Sequence, residues 1–205
     1  MRTIAFLVQK GGSGKTTLAV HTAVAAQQAN ERVVIVDTDP QKSATTWGNS
    51  READTPMVAT VAASKLGQVL DAAKSEGMTL AVVDTAPHAA PDAAKVASLV
   101  DLLVIPCRPT AFDLAAIGTT VQMVQALKTK AVIVLSACPS RSPEIAETRQ
   151  VLEQYGLPVY PGEITDRRAF ARAVASGRAV TEFESEGKAA GEIRGLWKWL
   201  KEQVK

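Results

Sequence analysis

The sequence predicts an α/β fold with a mostly parallel sheet and helices on both faces, and three observations carry that prediction. Aliphatic runs recur near residues 3–8, 33–37, 58–62, 79–84, 101–106 and 131–137, with a further candidate at 158–164. Segments with helical apolar spacing separate most of them, so strand then helix repeats along the chain, the pattern that right-handed crossovers turn into a parallel sheet. A chain of 205 residues with 46% hydrophobic content buries one substantial core and leaves little for a second. Residues 1–205 are therefore expected to form a single domain.

The first run, Thr3 to Val8, feeds directly into Lys10 to Thr17, KGGSGKTT. Gly11, Gly12 and Gly14 let the backbone curl so that successive N–H groups, Ser13 included, point inward at phosphate oxygens, and the positive end of the next helix reinforces them. Lys15 is placed to bridge β- and γ-phosphates, Thr16 to offer its hydroxyl to Mg²⁺, and Thr17 to complete the loop, the second half of the G-x-x-x-x-G-K-[ST] pattern. Gln9 stands where that pattern has its first glycine, and Lys10 is an additional cation beside the glycine pair. Two lysines exceed what one triphosphate needs, so Lys10 is free to serve a neighbouring subunit.

The second run, Val33 to Gln41 (VVIVDTDPQ), reads as a buried parallel strand whose end delivers Asp37 and Asp39 to the ligand crevice, where they can hold a water of the Mg²⁺ shell or orient an attacking one. Capping of the next helix would account for either aspartate singly. Leu80 to Pro87 (LAVVDTAP) ends in Asp84, a carboxylate suited to a water on Mg²⁺, because that ion keeps several waters and takes few direct protein ligands. Val104 to Ala116 carries two prolines that delay the next helix and forms a wall of the site. The Pro and Ser cluster at Cys138 to Pro143 and the segment Tyr155 to Gly162 read as loops. His88 is not expected to act as a base, since phosphoryl transfer needs positioning and charge neutralisation more than an imidazole.

In order and spacing, KGGSGKTT, DxDPQ and the strand ending at Asp84 resemble the deviant Walker A ATPases of the ParA/MinD family, most closely the small ParA-type partition proteins without an N-terminal helix-turn-helix. The resemblance covers almost the whole chain. It implies a P-loop ATPase that binds ATP and Mg²⁺ and hydrolyses ATP slowly. Lys10, Lys15, Asp39 and Asp84 are then the catalytic set, with Thr16, Asp37 and Asp84 at the metal. Residues 11–17 together with Thr165 and Asp166 are expected to hold the nucleotide. Lys10 reaches the partner's phosphates in an ATP-sandwiched homodimer, Asp39 positions the hydrolytic water, and Arg108 and Asp113 become candidates for cross-subunit contacts. The resemblance also implies a ParB-type adaptor protein that raises the turnover.

Charge narrows the partners. A net charge of +2 and a pI of about 8.6 fall short of a strongly basic nucleic-acid binder, but Arg167, Arg168, Arg172 and Arg178 stand against one acid between Asp166 and Thr181. Such a cluster can neutralise phosphates of nonspecific DNA without reading bases. At the carboxyl end, Ile193, Leu196, Trp197, Leu200 and Val204 form an apolar stripe beside Arg194, Lys198, Lys201 and Lys205. Packing against the sheet is expected for this helix in preference to membrane anchoring. Trp199, roughly 200° around the helix from Trp197, is expected to be exposed. With the first strand starting within three residues of Met1 and no targeting segment, the protein is expected in the cytoplasm, on the nucleoid when ATP-bound.

Cys107 and Cys138 read as reduced, buried small hydrophobes and lie too far beyond Asp84 for the cluster cysteines of a nitrogenase-type iron protein. No second polar constellation marks a metabolic ligase or kinase. ATP-dependent partition of plasmid or chromosomal DNA leads, with a MinD-like membrane-associated or carboxysome-type positioning ATPase as the alternative.

Overall fold

The computed structural model describes residues 1–87 and 90–204; His88 and Lys205 lie outside the described residues. In chain order the elements are β1 (Arg2–Phe6), α1 (Lys15–Gln28), β2 (Val33–Asp37), α2 (Ser43–Asn49), β3 (Met57–Thr60), a 3-10 turn (Ala63–Lys65), α3 (Leu66–Ser75) and β4 (Leu80–Asp84). They continue with α4 (Ala90–Leu99), β5 (Leu102–Cys107), α5 (Ala111–Leu127), β6 (Ala131–Leu135), α6 (Glu144–Glu153), α7 (Arg168–Ala175), α8 (Val180–Phe183) and α9 (Lys188–Gln203). The strands form one sheet in the order β3-β2-β4-β1-β5-β6, and every pairing is parallel.

Strands buried on both faces read as aliphatic runs, and so do β2 and β4 up to their terminal aspartates, β5 up to Pro106, and β6 along its whole length. Alternate residues divide between two cores. Ile4, Phe6, Ile35, Val82, Val104 and Val132 face α1, α2, α7, α8 and α9. Ala5, Val34, Val83, Leu103 and Ile133 face α3, α4, α5 and α6. Each such Leu, Ile or Phe contributes about 1.5–3 kcal/mol by leaving water. The central helix α1 carries small and apolar residues on nearly all sides because α9 packs on it from outside. Ile193, Leu196, Trp197, Leu200 and Val204 are all buried there, as the sequence predicts.

The register positions the site. Phe6 pairs with Asp84 and Asp37 pairs with Asp84, so three strands end at one level. Their carboxyl ends open beneath the glycine-rich loop, at the crevice where ligands of such sheets bind.

Two expectations are corrected. Residues 158–164 do not add a strand: Val159 and Ile133 form an isolated bridge, and the Tyr160 and Ile164 N–H groups donate to the carbonyls of Ile133 and Leu135 at 2.8 and 2.9 Å. Pro158 and Pro161 have no N–H to donate, so the segment follows β6 without a continuous ladder. Trp199 is half-buried, its ring tilted on Tyr160 with centroids 5.3 Å apart, because the 160 segment wraps the side of α9 that helical periodicity alone leaves open.

Candidate nucleotide site

After β1 the chain turns through Gly12 and Gly14, whose φ values of 73° and 91° lie in the left-handed region that favours glycine. The Gly14 carbonyl accepts the first intrahelical bond of α1, from Leu18 N–H at 2.9 Å. Side chains close the loop from within. The Ser13 hydroxyl and the Lys15 ammonium donate to the Lys10 carbonyl at 3.2 and 3.1 Å, and the Ser136 hydroxyl beyond β6 donates to the Ser13 carbonyl at 3.0 Å. Lys15 is only 6% exposed. Burial lowers its pKa, while the charges of Asp84 and Asp39 pull it back up.

Opposite Lys15 stands Asp84, wholly buried. Its backbone carbonyl accepts from both the N–H and the hydroxyl of Thr38, each at 2.9 Å, and the following Thr85 hydroxyl donates to the Phe6 carbonyl at 2.8 Å. These bonds lock the three strand ends together. The carboxylate itself is different: among the described residues neither oxygen has a hydrogen-bond partner of good geometry. Burial pushes its pKa up to about 7, against the nearby Thr16 hydroxyl and the Lys15 charge, with Asp37 and Asp39 adding to the rise.

An orphaned buried carboxylate beside a threonine hydroxyl and a lysine is a place that gains from a cation, and Thr16 with Asp84 fits Mg²⁺ in its donor type. Among the described residues no three His, Cys, Asp or Glu side chains gather as a chelating group, which suits an ion that keeps most of its waters.

Asp37 and Asp39 differ. Asp37 accepts the Asp39 N–H at 3.0 Å and both the N–H and hydroxyl of Thr45 at 2.8 Å, so it fastens the start of α2 to the strand end. Asp39 accepts the Gln41 N–H at 2.9 Å on one oxygen; among the described residues its other oxygen takes no hydrogen bond.

Lys10 is held within its own chain. Its ammonium meets Asp113 Oδ2 at 2.6 Å, where the Thr110 hydroxyl also donates at 2.5 Å, and it lies 5.9 Å from the ring centroid of Phe112. Phe112 is 82% exposed. Thr110 caps α5 by accepting the Asp113 N–H at 3.3 Å, which aims Asp113 back at the loop. Asp113, a candidate for contacts across subunits, thus pairs with Lys10 in this chain.

Beside the loop lies a cleft of about 270 Å³ lined by Gly14, Thr17, Arg108, Thr165, Asp166 and Phe170, among others. Arg108, also a cross-subunit candidate, is a wall of this cleft, with Nη2 4.0 Å from where a Cβ on Gly12 would stand. Phe170, Ala171 and Val174 of α7 supply an apolar wall that the sequence reading missed; their only signal was apolar residues on one face of a short basic helix. A phosphate cradle continuous with a half-apolar cleft is the shape a nucleotide requires.

Residues 4–180 match the model of the CobQ/CobB/MinD/ParA nucleotide binding domain family. The chain belongs to that family. It is 33% identical over 209 aligned positions to the maintenance of carboxysome distribution protein A of Gloeobacter kilaueensis, covering 99% of this chain and 94% of that one. It is 26% identical over 204 positions to Protein ParA of Rhizobium radiobacter, covering 94% and 91%. Among solved structures, a Cyanothece McdA variant in complex with ATP superposes with a TM-score of 0.76 at 16% identity, covering 100% of this chain and 96% of that one. The family assignment makes this a ParA/MinD-type nucleotide-binding ATPase fold.

Family membership does not decide the fate of the four arginines, and the structure separates them. Arg167 donates through Nε and Nη2 to Glu192 Oε1 at 2.9 and 2.7 Å, so it is removed from the set free for DNA. Arg168 is exposed without an ion pair among the described residues. Arg172 stacks over Phe183 at 5.2 Å and meets Glu184 at 4.0 Å, while Arg178 meets Glu52 at 4.0 Å. Such exposed pairs hold weakly. Thr165 lines the cleft but spends its hydroxyl on Glu192, and Asp166 is exposed at the rim. Among the described residues no helix is long and apolar enough to cross a membrane.

Proposed function

We propose that this protein is an ATP-dependent positioning ATPase that works as an ATP-sandwiched homodimer on nonspecific DNA. The observation that carries the reading is the pairing of a closed glycine loop and buried Lys15 with an orphaned Asp84, a set of donors and charges that suits a cation and a polyphosphate. The loop N–H groups and Lys15 bind the phosphates. Thr16 and, through a water, Asp84 would hold Mg²⁺, which would supply neutralisation of phosphate charge, and Asp37, by accepting the Asp39 N–H, keeps Asp39 aimed into the site. Asp39 offers its free oxygen to orient the attacking water.

Lys10 leaves Asp113 and enters the partner's site when two protomers close. In this reading no arginine of the chain completes the hydrolytic site, so turnover is slow until an adaptor protein of the ParB type stabilises the closed dimer. Arg168, Arg172 and Arg178 of two protomers together form a basic face that neutralises DNA phosphates.

Full-length similarity to a carboxysome-distribution protein favours a protein body as cargo, and the weaker full-length similarity to ParA supports plasmid or chromosomal DNA as the second reading. The burial of the α9 apolar stripe argues against a membrane anchor. Light scattering on the purified chain tests the core of the proposal: ATP with Mg²⁺ yields dimers, ADP yields monomers, and Lys10→Ala stays monomeric with ATP. Normal dimerisation of Lys10→Ala would remove the cross-subunit role.

A further inference from the structure

One carboxylate of the last helix holds the segment 165–167, which lines the cleft beside the glycine loop. Glu192 of α9 accepts the Thr165 N–H on Oε2 at 3.1 Å and the Thr165 hydroxyl on Oε1 at 3.0 Å. The same Oε1 accepts Nε and Nη2 of Arg167 at 2.9 and 2.7 Å. Four donors therefore converge on one side chain, the number of lone-pair sites a carboxylate offers. The segment is pinned from its other side by Cys138, whose carbonyl accepts the Asp166 N–H at 2.8 Å.

Residues 165–167 line the cleft together with Phe170, Ala171 and Val174, and Arg167 is the extended residue immediately before α7. Fixing residues 165–167 thus fixes the start of the helix that carries the apolar wall. The helix α9 is a rigid base for this contact, because its adjoining apolar stripe is buried on α1. Without Glu192, the Thr165 N–H loses its acceptor and the Arg167 guanidinium is released beside the cleft it lines.

We propose that Glu192 is a positioning residue for the nucleobase end of the site, so that the carboxyl-terminal helix sets how tightly the base is held while the glycine loop alone sets how tightly the phosphates are held. This rests on the reading of the site as one for ATP. The glycine loop and Lys15 make no hydrogen bond to residues 165–167 among the described residues, so the two ends can be weakened separately.

Calorimetry on the full chain with Mg²⁺ and either ADP or inorganic pyrophosphate tests the proposal, since pyrophosphate uses the phosphate cradle and ADP uses both ends. Glu192→Ala is expected to weaken ADP about tenfold and to leave pyrophosphate within twofold. Arg167→Ala shifts ADP in the same direction, and the double variant is no weaker than Glu192→Ala, because the two residues act as one unit. Lys201→Ala, which frees α9 from Glu31 (2.9 Å) away from the cleft, leaves both ligands unchanged. Should Glu192→Ala fail to fold, Arg167→Ala carries the same comparison.

Equal weakening of both ligands by Glu192→Ala would overturn the proposal in favour of general loosening. Unchanged ADP affinity in that variant would overturn it while leaving the ATP site intact. A wild-type chain that binds pyrophosphate but not ADP would remove the ATP reading as well.

Discussion

Replacing Asp113 with Asn is expected to make the ATP-bound dimer tighter. In the free chain Asp113, 6% exposed, holds Lys10 at 2.6 Å, and the proposed dimer requires Lys10 to leave. A charge-assisted hydrogen bond of this kind contributes about 1.5–3 kcal/mol when well shielded. Lys10 is about one-third exposed, and solvent screening reduces that to about 1 kcal/mol. Two protomers break two such pairs, about 2 kcal/mol for the dimer, which corresponds to about a 30-fold lower dimer dissociation constant at 1.4 kcal/mol per factor of ten. Asn at 113 still accepts the Thr110 hydroxyl through its carbonyl, so the cap of α5 survives. Sedimentation velocity over a concentration series with ATP and Mg²⁺ reads the constant directly. A dimer that is unchanged or weaker in Asp113→Asn would refute the idea that this ion pair restrains Lys10.

Asp39→Ala is expected to bind ATP, dimerise and fail to hydrolyse, so that phosphate release falls at least 100-fold while light scattering shows a persistent dimer. Asp84→Asn removes a group whose folded pKa is raised to about 7. The unfolded chain releases that proton near 4 and the folded chain does not, so stability without nucleotide falls as pH rises from about 4 to about 7, at about 1.4 kcal/mol per pH unit. At pH 7.5 the variant should therefore melt several degrees higher without nucleotide, yet lose Mg²⁺-dependent ATP binding. His21 behaves in the opposite sense: it is buried, accepts the Val180 N–H at 3.2 Å, and burial lowers its pKa to about 3. Below pH 6.5 the unfolded chain takes up a proton that the folded chain refuses, so stability falls as pH drops from 6.5 toward 3. The two slopes oppose each other between about pH 4 and 6.5, and chemical denaturation of His21→Leu should show stability still rising on acidification there.

The parts of this molecule that could be read in the sequence are those where local chemistry decides the outcome. Aliphatic runs ending in Asp37 and Asp84 mark strands whose ends meet, because parallel register brings their last residues to one level. Glycines 12 and 14 mark a backbone that must enter the left-handed region. The apolar stripe of α9 marks a packed helix, since its spacing matches one face. Pairings between residues distant in the chain leave no such trace. Lys10 finds Asp113 and Arg167 finds Glu192 only once the sheet and the cap of α5 have placed them. The Arg167 side chain therefore reads as a free cation in sequence and is a bound one in the fold. Trp199 reads as exposed because helical periodicity knows nothing of Tyr160, and residues 158–164 read both as a candidate strand and, up to Gly162, as a loop, a choice that the two missing N–H donors decide for the loop.

Whether ATP converts this chain into a DNA-binding dimer is read from binding of the purified protein to nonspecific duplex DNA with ADP, ATP or a non-hydrolysable analogue across a salt series, with anionic vesicles in parallel. Binding to DNA is expected only with ATP or the analogue, weakening steeply as salt rises, and lost in the double variant Arg168→Glu/Arg172→Glu. Binding to DNA that ignores the nucleotide, or binding to vesicles alone, would contradict that conversion.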